Sequence, residues 1–190
     1  NAYYSWQYAG AYFIMVNAYS SMNQGSEQRR WIKKELVRAN RKRDVFPWLI
    51  VVIHTPIYNT FGKHLKDEQM FEAKKYLEPL FVEHQVNVVF SGHIHAYLRT
   101  HAIALDQLNP KGPVHITVGA GGRACEAPFR EKDPEDWVAV RDATMYGYGM
   151  FRIHNESIAE WDWIQTSPTD DDRDFNQILG SDERLPSGPQ

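Results

Sequence analysis

Two short runs constrain this chain more than anything else in it. Trp48 to Ile53 and Val86 to Phe90 are nearly continuous in bulky, mostly β-branched apolar residues. A strand with one wet face alternates apolar and polar side chains. These runs do not, so both read as strands covered on two faces. Between them Met70, Ala73, Leu77, Leu80 and Phe81 recur at a period near 3.6, which predicts a helix. Pro79 supplies no N–H to Lys75 and is expected to kink or end that helix. Strand, helix, strand at this spacing is a βαβ unit, whose strands run parallel in one sheet with a right-handed crossover.

The flanking segments fit around that unit. Tyr12 to Val16 reads as a further strand and Asn17 to Gly25 as a loop. Ser26 is placed to cap a helix whose apolar stripe is Ile32, Leu36 and Ala39. The basic cluster Arg38 to Arg43 falls at the end of that helix, where cations favour the dipole, and reads as a solvated face. After Thr100, His101 to Leu108 and Val114 to Val118 flank Asn109-Pro-Lys-Gly112, a β-turn sequence that predicts a hairpin. Gly119 to Gly122 marks a turn, or a place where backbone passes close to something bulky. Met150 to His154 and Ser157 to Ile164 predict a second hairpin around Asn155-Glu156, with Trp161 and Trp163 on one face. The fold class expected is α/β: a βαβ unit followed by antiparallel hairpins added to the sheet or packed on it.

A chain of 190 residues is too short for two full domains, and 43% hydrophobic residues suffice for a core. Residues 1–165 are expected to form one domain. Residues 166–190, acidic and punctuated by Pro168, Pro186 and Pro189, read as a disordered tail. Without that tail the balance is 19 basic to 18 acidic residues, which excludes the strongly basic face of a nucleic-acid binder. The longest apolar stretch, Val45 to Ile53, contains Pro47 and falls far short of the roughly 20 residues of a membrane-spanning helix. The single cysteine, Cys125, forms no internal disulfide and reads as a small buried hydrophobe. The opening at Asn1, with no signal-peptide layout, suggests a processed, truncated or fragmentary chain.

Three of the eight histidines occupy telling places. His54 follows the first buried strand directly, and His93 and His95 follow the second after Ser91-Gly92. Parallel neighbours end at the same edge, the one where open sheets bind ligands, so the three imidazoles are expected to converge. Gly92 is expected to allow a sharp turn there. Neutral imidazole is a common ligand of zinc and iron, which makes this a candidate metal site. For His84, His101, His115 and His154 the structural, hydrogen-bonded reading is the expectation. Three histidines could hold one catalytic zinc with water as fourth ligand. A metal pair about 3.5–4 Å apart needs more donors, including a bridging oxygen. No Asp or Glu follows a predicted strand end in the way that bridge requires.

The run Trp48-Leu-Ile-Val-Val-Ile-His54-Thr-Pro-Ile-Tyr58-Asn59, followed by Val88-Val-Phe-Ser-Gly92-His93-Ile-His95-Ala-Tyr97, resembles the last two metal motifs of the purple acid phosphatases, within the calcineurin-like metallophosphoesterases. The likeness extends through Gly25-Ser-Glu-Gln28 and Trp31, Pro113 to Gly122, and Tyr146-Gly-Tyr-Gly149 with Trp163, or roughly residues 3–164. Where the family has Tyr-Glu-Arg, this chain has Tyr97-Leu98-Arg99.

The resemblance implies half of a metallophosphoesterase-type β-sandwich flanked by helices. It implies that His54 and His93 bind a divalent ion, that His95 binds a ferric ion, and that His64 contacts substrate phosphate. The implied cofactor is a dinuclear centre, Fe(III) with Zn, Mn or Fe(II), and the implied reaction is acid hydrolysis of phosphate monoesters. The family's earlier motifs, Asp-x-Gly, Gly-Asp-x-x-Tyr and Gly-Asn-His, are absent from the sequence, so the expected partner is the amino-terminal half of the same domain. A non-catalytic structural or binding subunit on the same scaffold, and a mononuclear zinc hydrolase, are the alternatives. The sequon Asn155-Glu-Ser157 together with the family suggests a glycoprotein that is secreted or vacuolar-lysosomal, and a homo-oligomer is compatible with it.

Overall fold

The computed structural model of this chain describes residues 2–122, 127–166 and 184–185. Strands β1 (Tyr4–Tyr8) and β2 (Ala11–Val16) form an antiparallel hairpin. Helix α1 (Glu27–Asn40) leads to β3 (Trp48–Ile53). Next come α2 (Glu68–Glu72), a π-helical turn (Ala73–Leu77), α3 (Glu78–Glu83) and β4 (Val88–Ser91). Five strands follow: β5 (Tyr97–Thr100), β6 (Ile103–Ala104), β7 (Gln107–Leu108), β8 (Val114–Val118) and β9 (Val138–Asp142). The long pair β10 (Tyr146–Ile153) and β11 (Ala159–Thr166) and the short β12 (Arg184–Leu185) complete the order.

The main sheet has seven strands in the order β1-β2-β3-β4-β8-β5-β9. The pairs β2–β3, β3–β4 and β4–β8 are parallel, and β5 and β9 close the far side antiparallel. The apolar runs therefore stand in the middle of the sheet, as their lack of polar alternation requires. One face packs on α1 and the α2–α3 segment through Tyr12, Ile14, Ile32, Leu36, Leu49, Val51, Leu77 and Phe81, all but completely buried. The other face is partly covered by the β10–β11–β12 sheet. Trp161 and Trp163 lie over Gly149 and Gly147, where a Cβ would meet the indole atoms at 1.7 and 2.5 Å. Trp163 stacks on Tyr97 at 4.4 Å and Trp161 Nε1 donates to the Tyr97 hydroxyl at 3.0 Å, tying the two layers together. The result is the mixed α/β architecture expected, with the second hairpin lying in a sheet of its own.

Several local expectations change. Ser26 caps α1 through a 3.2 Å bond from the Arg29 N–H, as its sequence position implies. Pro79 does not end its helix. The chain passes through the π turn just before it, and Pro79 then falls in the first turn of α3, where its missing N–H breaks no intrahelical bond. Gly112 N donates to Asn109 O at 2.8 Å, so the predicted β-turn forms, but it does not join two paired strands. The hairpin here is β6–β7, turning at Leu105 and Asp106 with φ 51° and 65°, while β8 pairs with β4 and β5. Arg43, placed by sequence on a solvated face, instead clamps three segments. It donates to Asn40 Oδ1 on α1, to Pro47 O before β3, and to His84 O, Gln85 O and Asn87 Oδ1 before β4. Of the acidic segment expected to be disordered, Thr166 ends β11 and β12 pairs with β11, while the remaining residues lie outside the described ones, as does Cys125. No described helix is long and apolar enough to cross a membrane.

Candidate metal centre

The parallel register Ile50↔Val88, Val51↔Val89 and Val52↔Phe90 brings the ends of β3 and β4 level with each other. The Gly92 N–H donates to the backbone carbonyl of His54 at 3.0 Å, so the two loops leave the sheet in contact. Beyond that bond the left-handed backbone conformation falls on His93, with φ 67°, and not on Gly92. Bonds from Ile94 N to Gly92 O (2.7 Å) and from Ala96 N to Ile94 O (2.8 Å) then wind the loop tightly. Gly119, at the exit of β8, passes directly beneath this loop. Its N–H donates to Ala96 O at 3.1 Å, and a Cβ on it would lie 1.8 Å from the Ile94 carbonyl oxygen. The glycine-rich segment is thus a close approach of two backbones. Gly119→Ala should therefore cost about 1–3 kcal/mol, as overpacking does. A thermal melt checks this, and an unchanged Tm would mean that the two loops do not meet.

An open cleft of about 700 Å³ results, lined by His54, His64, His93 and His95 together with Gly92, Val118, Gly119, Gly121 and Gly122. His54 Nε2 and His93 Nδ1 are 3.1 Å apart, with the rings at 74°. Two nitrogens bound at 2.0–2.1 Å to one tetrahedral ion lie about 3.3 Å apart, so this pair is already spaced as two ligands of a single metal. His64, ten residues past His54, reaches the same place. Its ring centroid is 4.2 Å from that of His93. His95 lines the same cleft, and among the described residues no hydrogen bond joins it to the other three.

One residue of the cluster escaped the sequence reading. Asp67 Oδ2 lies 2.7 Å from His93 Nε2 and 2.9 Å from His64 Nδ1, so a single carboxylate oxygen joins both histidines. The spacing His64-x-x-Asp67 just before a helix was the available signal. The bond from His93 holds the Asp67 carboxyl below its ordinary range, with the bond from His64 adding to it and burial opposing both. Burial and then the nearness of His93 lower the pKa of His54, favouring the neutral, ligating form of its ring. The donor set is imidazole nitrogen with one nearby carboxylate, suited to zinc or iron. His64, Asp67 and His93 also place one ligand atom each within 4.8 Å of one another.

The other histidines divide. His84 Nδ1 bonds the Asn40 amide at 3.2 Å and His154 Nε2 bonds Glu160 at 2.9 Å, so these two are hydrogen-bonded as expected. His101 is exposed, and among the described residues its backbone N–H, not its ring, has a partner, donating to Trp137 O at 2.9 Å. His115 departs from the expectation: it is 4% exposed, and among the described residues neither ring nitrogen has a hydrogen-bond partner. Asn155 is exposed in its hairpin turn, its Oδ1 accepting from Ser157 N and Ile158 N.

Comparison with known proteins places this geometry. The calcineurin-like phosphoesterase family matches residues 3–97, and the iron/zinc purple acid phosphatase-like protein C family matches residues 112–174. Purple acid phosphatase 18 of Arabidopsis thaliana is 37% identical over the whole of this chain and 43% of its own length. The chain belongs to the purple acid phosphatase family. Probable purple acid phosphatase 20 of Arabidopsis thaliana is 33% identical over 86% of this chain and 38% of its own length. The solved purple acid phosphatase PPD1 from yellow lupin superposes with a TM-score of 0.75 at 25% identity, over 86% of this chain and 30% of that one. This purple acid phosphatase chain thus spans less than half the length of the relatives it matches, and its fold is the metallophosphoesterase fold of the family.

Proposed function

We propose that this chain carries the second half of an acid phosphatase site that hydrolyses phosphate monoesters at a dinuclear metal centre. In that reading His54 Nε2 and His93 Nδ1 hold the divalent ion, zinc, manganese or ferrous iron, and His95 holds the ferric ion. The remaining donors, including the bridging oxygen, come from an amino-terminal segment of the same domain. The metals, once bound, supply charge neutralisation of the phosphate and activation of a solvent oxygen. His64 holds the substrate. Its Nδ1 is engaged by Asp67, which leaves Nε2 as the ring atom available to a phosphoryl oxygen. The same atom could assist the leaving alkoxide. The single observation that carries the reading is the 3.1 Å approach of His54 Nε2 to His93 Nδ1 at the ligand-binding edge of the parallel strands.

The exposed position of Asn155 supports, in addition, glycosylation of an exported protein. The test of the main reading is metal analysis of the complete protein with a p-nitrophenyl phosphate assay at mildly acidic pH. Two metals per site are expected, with activity lost on chelation and restored by iron and zinc. One zinc per site would favour the mononuclear hydrolase. Absence of both metal and turnover would leave a scaffold subunit.

A further inference from the structure

The sequence position of Asp67 gives it a different task from the one it performs. It stands at the N-cap of α2, where an aspartate normally accepts from the first free backbone N–H groups and gains about 1 kcal/mol for the helix. Here it makes no capping bond. Its carboxylate turns instead to the two histidines, using one oxygen for both. A carboxylate only accepts, so the 2.7 Å contact requires the proton of His93 to sit on Nε2. In the neutral ring that leaves the lone pair on Nδ1, the atom facing His54 at 3.1 Å. The sole donor in that pair is then the His54 Nε2–H, which a metal ion would replace.

We propose that Asp67 is the positioning carboxylate of the centre: it fixes His93 as the Nε2–H tautomer, so that Nδ1 is the ligating atom, and holds His64 alongside through the same oxygen. The inference rests on the proposed metal reading. A ligand histidine oriented by an outer carboxylate is more basic and loses less freedom on binding, so the arrangement raises metal affinity. The backbone of His93 is left-handed, at φ 67°, in the same residue whose ring contacts both His54 and Asp67. Because one oxygen serves both histidines, the ring that would meet the phosphate is set relative to the ring that would meet the metal, independently of substrate.

The experiment uses the complete protein, with Asp67→Asn and Asp67→Glu. In the metal-free state, imidazole nitrogen NMR should show His93 protonated on Nε2 in the wild type. That preference should be lost in Asp67→Asn, whose amide can donate as well as accept, and be recovered in Asp67→Glu. Zinc affinity, measured by competition with a chromogenic chelator, should fall by about 10–100-fold in Asp67→Asn. A wild-type His93 protonated on Nδ1, or an Asp67→Asn variant with unchanged tautomer and unchanged zinc affinity, would overturn the proposal. If the wild type binds no zinc while the tautomer still follows residue 67, the positioning role is supported and the metal reading alone has failed.

Discussion

Removing the His93 side chain from the complete protein should reduce phosphomonoesterase turnover on the order of a thousandfold, the scale seen when a group that stabilises transition-state charge is deleted. His93 meets both His54 and Asp67, so its loss takes away one proposed ligand and the link to His64 together. The choice of substitution matters. At φ 67° an alanine carries the left-handed penalty of about 1–2 kcal/mol, and a loss of stability would blur the result. Asparagine tolerates that conformation and lacks the imidazole, so His93→Asn isolates the chemistry. Both variants should retain less metal on dialysis than the wild type, with His93→Asn melting close to it. Near-normal turnover in a folded His93→Asn protein would refute the site assignment.

A second large effect should come from His115, away from the cleft. Its ring lies in the covered strand β8, 4.8 Å from the Tyr58 ring, and burial, with a lesser contribution from Lys74, pushes its pKa down to about 3 from an ordinary 6.5. In the folded protein it stays neutral, whereas in the unfolded chain it takes up a proton once the pH falls below about 6.5. The unfolded state therefore binds more protons between pH 6.5 and about 3, and stability must fall as the pH falls through that window. The slope is about 1.4 kcal/mol per pH unit, which amounts to several kcal/mol in acid. His115→Leu has a similar volume, no titrating group and no unpartnered nitrogens. It should melt higher than the wild type in acid, with the difference shrinking toward neutral pH. Parallel pH–Tm curves for the two proteins would show that the histidine is protonated inside the fold.

The histidines show how far sequence reasoning reached. Strand patterning alone puts His54, His93 and His95 at one edge. His64 entered only through the resemblance, because a loop histidine has no periodic neighbours to place it. Asp67 was missed for a related reason: its position before Glu68 reads as a helix cap, and nothing local reveals that its carboxylate faces away from the helix. His115 was expected to have a hydrogen-bond partner, as buried histidines usually do. That expectation failed because β8 lies in the middle of the sheet, and the polar groups around His115 are paired elsewhere: Thr117 with Ser91, Thr100 with the His115 backbone N–H, and Tyr58 with Glu78. Among the described residues no donor or acceptor is left for the ring. Turn chemistry was only half legible. Asn109 to Gly112 turned as its residues require, but which strands pair is decided by what covers them, and β8 found β4 and β5 instead.

The amino-acid order alone determined that two central strands run parallel and that the residues following them share an edge. Both conclusions rest on local patterns of burial and on the geometry of chain crossovers, which hold in any surroundings. Only the tertiary structure decided that His54 and His93 stand 3.1 Å apart, which ring nitrogen faces its neighbour, and that the Asp67 carboxylate, thirteen residues past His54 on the same loop, bonds His93 and His64. Those outcomes depend on the seating of loops, set here by Gly119 passing beneath Ile94 and by the left-handed turn at His93. Such contacts join residues far apart in the chain and leave no periodic trace along it.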